Sequence, residues 1–144
     1  MKILVMGGTR FVGKSLVDKL ISHDYDIDIF TRGNKSNPEN TNLIKGDRNN
    51  IESILKIKDK KYDVIYDISG RELKQTKLLV ENVADSFKRY IYVISSGVYS
   101  ENYELPLSED SSLDPQSRHK GKFETEKWLI EQKIPFTSFR PTYI

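Results

Sequence analysis

Met6-Gly7-Gly8-Thr9-Arg10-Phe11-Val12-Gly13 joins an apolar run, Ile3 to Met6, to a helical pattern from Phe11 to Ile21 whose apolar residues are Val12, Leu16, Val17, Leu20 and Ile21. A buried strand that turns sharply into a helix leaves little room for side chains. Space runs out at the turn, where backbone approaches a bound anion, and where helix meets strand. Gly7 suits the first place and Gly13 the third. The free N–H groups at the helix start, reinforced by the helix dipole, then face an anion such as a pyrophosphate. Read as G-x-x-G-x-x-G, the middle glycine is Arg10, and Gly8 is an extra glycine beside Gly7. The stretch Gly7, Gly8, Thr9, Arg10, Phe11, Val12 and Gly13 is the candidate cradle of a dinucleotide. Arg10 either crowds the pyrophosphate, grips a phosphate with its planar fork, or simply faces solvent.

Outward from this turn, short strands and helices alternate. Strands are expected at Ile27 to Thr31, Leu43 to Lys45, Asp63 to Ile68, Tyr90 to Ser95 and Phe136 to Phe139. Helices are expected at Ile51 to Ile57, at Leu73 to Phe87 with Leu78, Leu79, Val83 and Phe87 on one face, and at Lys122 to Gln132. Nearly unbroken hydrophobic strands between helices imply a parallel sheet covered on both faces. The expected architecture is a Rossmann-type doubly wound α/β sheet of order 3-2-1-4-5-6, with residues 1–144 forming one dinucleotide-binding domain.

The end of the second strand distinguishes dinucleotides. A carboxylate there holds the ribose hydroxyls of NAD, whereas an arginine accommodates the 2′-phosphate of NADP. Thr31-Arg32-Gly33 offers the cation and no acid, so NADP is expected over NAD, with Arg32 as its reader.

Composition narrows the remaining classes. The chain of 144 residues is 37% hydrophobic and 31% charged, as expected of a water-soluble domain. A formal net charge of +2 is too small to argue by itself for a nucleic-acid partner. The absence of cysteine excludes disulfides and thiolate metal sites, no metal is expected, and a reducing cytoplasm is the expected setting. The first apolar run is too short for a secretion signal or a membrane span, so no membrane partner is expected.

The glycine turn, Ser95-Ser96-Gly97-Val98-Tyr99, the segment Arg118 to Trp128, and Arg140-Pro141 together resemble the short-chain dehydrogenase/reductase superfamily. More closely, the chain resembles the extended branch of NAD-dependent epimerases and dehydratases, over nearly its whole length. The resemblance implies a dinucleotide cofactor and a small carbonyl or hydroxyl substrate such as a nucleotide sugar. It also implies a further substrate-binding portion, before which this sequence is expected to end. Asp47 would lie near the adenine, Ser69 and Gly70 would line the cofactor, and Ser95 or Ser96 would supply a hydroxyl to the substrate oxygen. A homodimer is compatible with it.

In the resembled family a tyrosine four residues before a lysine handles the substrate proton, while the lysine lowers the tyrosine pKa and binds the nicotinamide ribose. Lys122 matches the lysine, but Arg118 stands at the tyrosine position. Arginine cannot give up its proton at any useful pH. Three readings stay open. His119 could serve as the acid/base, Tyr99 could take the role, or the site has no redox chemistry. The run Ser117-Arg118-His119-Lys120-Gly121-Lys122 also resembles atypical members, among them chloroplast stem-loop RNA-binding proteins that lack the usual tyrosine. RNA binding or nucleotide sensing without catalysis is therefore the second reading, and Ser96, Lys122 and His119 are the candidate catalytic residues under the first.

Overall fold

The computed structural model describes residues 1–101 and 105–142. Six parallel strands form one sheet: β1 Lys2–Met6, β2 Asp26–Thr31, β3 Asn42–Lys45, β4 Tyr62–Asp67, β5 Phe87–Val93 and β6 Phe136–Phe139. Their order is β3-β2-β1-β4-β5-β6, as the alternation of patterns implies. Ile3, Leu4 and Val5 of β1 are fully buried because β1 lies mid-sheet between β2 and β4. Met6 is in register with Phe30 on one side and Asp67 on the other. The chain reverses its direction of winding here, which opens a crevice beyond the strand ends.

Helix coverage is uneven. The helix α1 (Phe11–Ile21) packs Val17 and Leu20 on Ile3, Val5, Ile27 and Ile29. The opposite face carries α2 (Ile51–Leu55), α3 (Leu73–Val83) and α4 (Lys120–Glu131), whose Ile54, Leu79, Val83, Trp128 and Leu129 join Leu4, Ile65, Tyr90 and Tyr92 in the larger core. Both faces are thus covered, as expected, but one carries three helices and the other a single one. On the α1 side, Val64, Tyr66, Ile91 and Val93 remain half-buried.

Several boundaries also move. The helix expected to run to Phe87 ends at Val83, and a 3₁₀ turn, Ala84–Ser86, leads directly into β5. Lys88 and Arg89 are exposed at the start of that strand, which hides its beginning from a hydrophobic reading. Ser95 lies beyond β5 and accepts a hydrogen bond from the Gly97 N–H at 3.2 Å, capping a 3₁₀ turn at Ser96–Val98. α4 begins at Lys120, so Arg118 lies in the preceding turn and His119 is the N-cap.

Two caps explain where helices start. Asn50 Oδ1 accepts from Ser53 N–H at 2.9 Å ahead of α2, and Glu72 with Gln75 forms a capping box at α3. Inside β2, Asp28 is fully buried yet satisfied by Tyr62 Oη at 2.8 Å, Lys60 Nζ at 3.0 Å and Asn42 Nδ2 at 3.1 Å. No helix among the described residues is long and apolar enough to cross a membrane.

Candidate functional site

A cleft of about 940 Å³ lies beyond the C-terminal ends of the central strands. The Gly7 to Gly13 turn forms part of its wall, and Gly7 N–H still bonds Phe30 O at 3.0 Å, fastening the turn to β2. Gly7 has φ +100°, where a side chain would be strained. A Cβ on Gly13 would stand 2.5 Å from Gly7 O and 2.6 Å from Ile68 Cδ1, so α1 reaches this close only because residue 13 is glycine. Gly8 turns the other way. Its missing Cβ would meet Val17 Cγ2 at 2.7 Å, and the residue is buried under α1, outside the cleft lining.

The geometry also accounts for Arg10. Its φ is −144°, an extended conformation open to any residue, so the backbone does not demand glycine there. The positive φ falls instead on Phe11, at 44°, whose ring is 82% exposed. Thr9, Arg10, Phe11 and Val12 all line the cleft.

At one end, Thr31, Arg32 and Lys35 line the wall with Asp47. Asp47 accepts from Asn49 N–H and Asn49 Nδ2, both at 2.9 Å. Those bonds, with Arg32 and Arg48 nearby, hold its carboxyl below the usual range.

The cleft floor is a buried ion-pair network that sequence reading did not single out. Arg48 Nη1 and Nη2 donate to Asp67 Oδ1 and Oδ2, each at 2.8 Å, and Nη1 also reaches Ser69 Oγ at 2.8 Å. Tyr90 Oη donates to Asp67 Oδ2 at 2.6 Å, and Gly70 N–H to Oδ1 at 2.9 Å. Burial opposes ionisation of Asp67, but Arg48 and these donors outweigh it and hold the carboxyl below its ordinary range. Burial and the same carboxylate push the Tyr90 hydroxyl well up. Ser69 lines the cleft as expected, but Gly70 does not: it is buried against Asp67, whose Oδ2 would stand 2.8 Å from a Cβ there. The available signal was a carboxylate at the end of the fourth strand, in Asp67-Ile68-Ser69-Gly70.

At the other end are Arg71, Arg118, His119 and Lys122. Lys122 Nζ donates to Val93 O at 2.7 Å and lies 5.7 Å from the Tyr92 ring centroid. Burial, then Arg71 and Arg48, lower its pKa against the pull of Asp67. Arg118 Nε donates to His119 Nε2 at 3.0 Å. Burial and the cations Arg118, Lys122 and Arg71 lower the His119 pKa.

Ser96 does not join them. Its turn is drawn toward the chain before α4 by Ser117 Oγ, which donates to Gly97 O at 2.5 Å, and His119 packs on Gly97. Tyr99 Oη accepts from Arg140 Nη1 at 2.8 Å and also lies outside the cleft lining. Among the described residues no group of three or more His, Asp or Glu could hold a metal ion.

Comparison with known proteins fits this geometry. The model of the NAD dependent epimerase/dehydratase family matches residues 3–142. The chloroplast stem-loop binding protein of 41 kDa b of Arabidopsis thaliana is 37% identical over 159 aligned positions, covering 99% of this chain and 42% of that protein. A UDP-glucose 4-epimerase of Thermotoga maritima, solved with UDP-glucose, superposes with a TM-score of 0.86 at 21% identity, over 97% of this chain and 55% of that one. A UDP-glucose 4-epimerase of Thermus thermophilus in complex with NAD gives 0.83 at 16% identity, over 97% and 54%. The chain spans about half the length of these relatives. At such identities the two enzymes establish the fold, and the family rests on the match along the sequence: the chain belongs to the NAD dependent epimerase/dehydratase family.

Proposed function

We propose that the cleft binds NADP in preference to NAD, and that the chain is the cofactor-binding part of a protein acting on a nucleotide sugar or another small carbonyl or hydroxyl substrate. The observation that carries this reading is the glycine cradle. Residue 13 has no room for a Cβ, and the start of α1 opens into a cleft large enough for a dinucleotide. Gly7, Thr9, Arg10, Val12 and Gly13 would surround the pyrophosphate, with Gly8 supporting the turn from beneath. Arg32, with Lys35 beside it, would take the 2′-phosphate, and Asp47 would stand near the adenine. Ser69 and Lys122 would face the ribose toward the nicotinamide.

When bound, the nicotinamide supplies hydride transfer. This chain's own contribution is to orient and to handle protons. Lys122, anchored on Val93 O, presents positive charge to ribose hydroxyls. His119 is the titratable group that lines the cleft where the family's tyrosine is replaced by Arg118. Ser96 would reach a substrate only after its turn moves, so the proton chemistry rests first on His119.

Calorimetric titration of the full protein with NADP and with NAD tests the reading. NADP is expected to bind at least about tenfold more tightly, the value of one bidentate contact to the extra phosphate. Equal affinity would remove the role given to Arg32, and no binding of either would end the proposal. A second reading, RNA binding, is favoured by the Arabidopsis relative, a stem-loop binding protein 37% identical over nearly all of this chain. It predicts RNA affinity that falls steeply with salt and no turnover of carbonyl compounds.

A further inference from the structure

Past Lys122 the cleft ends in a second cationic wall that the dinucleotide does not account for. Arg71 lies in the loop between β4 and α3, while Arg118 and His119 form the turn before α4. Gly121 brings these segments together. A Cβ there would stand 2.5 Å from Arg71 O and 3.1 Å from Glu72 Cα, so the first turn of α4 lies directly on the Arg71 loop. Arg71, Arg118, His119 and Lys122 consequently line one end of the cleft.

The nearby carboxylates are engaged elsewhere. Glu72 pairs with Lys74 at 2.8 Å, Asp67 with Arg48 at 2.8 Å, and Glu126 with Arg140 at 2.5 Å. Among the described residues neither Arg71 nor Arg118 pairs with a carboxylate within 4.0 Å, and Asp47, beside Arg32 and Arg48, is the only acid in the cleft lining. Arg118, which lines the cleft, donates Nε to His119, and neither terminal nitrogen of its fork is in an ion pair among the described residues. Because His119 accepts at Nε2, its neutral ring carries the proton on Nδ1, a further donor.

We propose that Arg71 and Arg118, with His119, form an anion subsite at the substrate end of the cleft, which takes the phosphate monoester of a small substrate. The proposal rests on the cofactor reading, because it assigns the glycine cradle and Arg32 to the dinucleotide and only the far end to substrate. Two guanidinium forks sharing one recess suit a terminal dianionic phosphate. A chain of phosphodiesters calls instead for cations spaced along an open surface. An anion here also explains how arginine can occupy the tyrosine position: residue 118 grips the substrate and the proton passes to another group.

The test is calorimetric titration of inorganic phosphate and of glycerol 3-phosphate into the full protein saturated with NADP, which fills the cofactor's own phosphate sites. Both probes are expected to bind with one-to-one stoichiometry. Arg118→Gln and Arg71→Gln are each expected to weaken them about tenfold or more, while Lys127→Gln, an exposed cation farther along α4, changes them less than about twofold. Both arginines are exposed, so unchanged melting curves are expected to accompany the loss.

The subsite is overturned if NADP-loaded protein binds neither probe, or if Lys127→Gln weakens them as much as Arg118→Gln. It is equally overturned if a short oligoribonucleotide displaces phosphate and binds with steep salt dependence. Should NADP itself not bind, the cofactor reading fails. The same variants titrated without cofactor then decide the subsite separately.

Discussion

Arg48 meets Asp67 through two parallel 2.8 Å hydrogen bonds on the cleft floor, with the carboxylate fully buried and the arginine side chain only 10% exposed. The pair ties the loop after β3 to the end of β4, so the residues on either side of it, Asp47 and Ser69, are fixed relative to each other. Removing one partner strands the other charge. Asp67→Asn is expected to cost about 3–5 kcal/mol, read from urea midpoints. Adding Arg48→Met should recover about 1–2 kcal/mol, since the stranded cation is then gone. A double variant no more stable than Asp67→Asn alone would show that packing, not charge, sets the loss.

The same pair makes stability depend on pH in a defined direction. In the unfolded chain the Asp67 carboxyl protonates near its ordinary value of about 4, whereas in the fold it stays ionised to lower pH. Between those values the unfolded state binds more protons, so stability rises with pH. The contribution is complete above about pH 5 and is lost as pH falls through the folded value. Urea midpoints measured downward from pH 6 should therefore fall less steeply for Asp67→Asn than for the unaltered protein. Identical slopes would assign the acid sensitivity to other carboxylates.

Gly13 and Gly8 make different demands. A methyl at residue 13 meets backbone, Gly7 O at 2.5 Å, whereas at residue 8 its nearest contact is a side chain, Val17 Cγ2 at 2.7 Å. Backbone at the strand turn cannot yield without moving the anion cradle, while valine can repack at some cost. Gly13→Ala is expected to lose about 2–3 kcal/mol and Gly8→Ala about 1 kcal/mol. Nucleotide affinity should fall sharply only in the first. A larger loss from Gly8→Ala would contradict the division of roles.

The sheet order was legible because each strand is a compact apolar run and the winding rules leave few alternatives. The start of β5 was not, since Lys88 and Arg89 point to solvent at the lower end of a strand whose upper half is buried. The glycine cradle and Arg32 could be read from spacing and composition. Arg48 with Asp67 could not, because the partners are 19 residues apart and pair only once β3 and β4 flank the crevice. Arg118 and Lys122 both line the cleft, but not from one helix. The helix starts at Lys120, so a four-residue spacing no longer means one helical face.

Arg32 offers a prediction at the opposite end of the cleft. It lines the cleft just after β2, where the proposed reading puts the 2′-phosphate, and Asp47 nearby is already satisfied by Asn49. Arg32→Gln should weaken NADP by about tenfold and NAD by less than about twofold, as calorimetry would record. Parallel losses for both dinucleotides would mean that Arg32 supports the loop and does not read the phosphate.

His119 closes the chain of reasoning about the replaced tyrosine. Its Nε2 accepts from Arg118 Nε at 3.0 Å, an arrangement available only to the neutral ring. Burial and the surrounding cations keep its pKa below the usual 6.5, so near pH 7 the ring is neutral with its proton on Nδ1, and it can take a substrate proton at Nε2 only once Arg118 Nε releases it. Arg118→Gln removes both a like charge and the bond that favours the neutral form, and either change alone raises the pKa toward its ordinary value. Long-range proton–nitrogen NMR titration should show the Nδ1–H tautomer in the unaltered protein and an upward shift of the midpoint in the variant. A downward shift would mean that Arg118 does not face the ring in solution, and His119 would then lose its claim to the proton that the family's tyrosine carries.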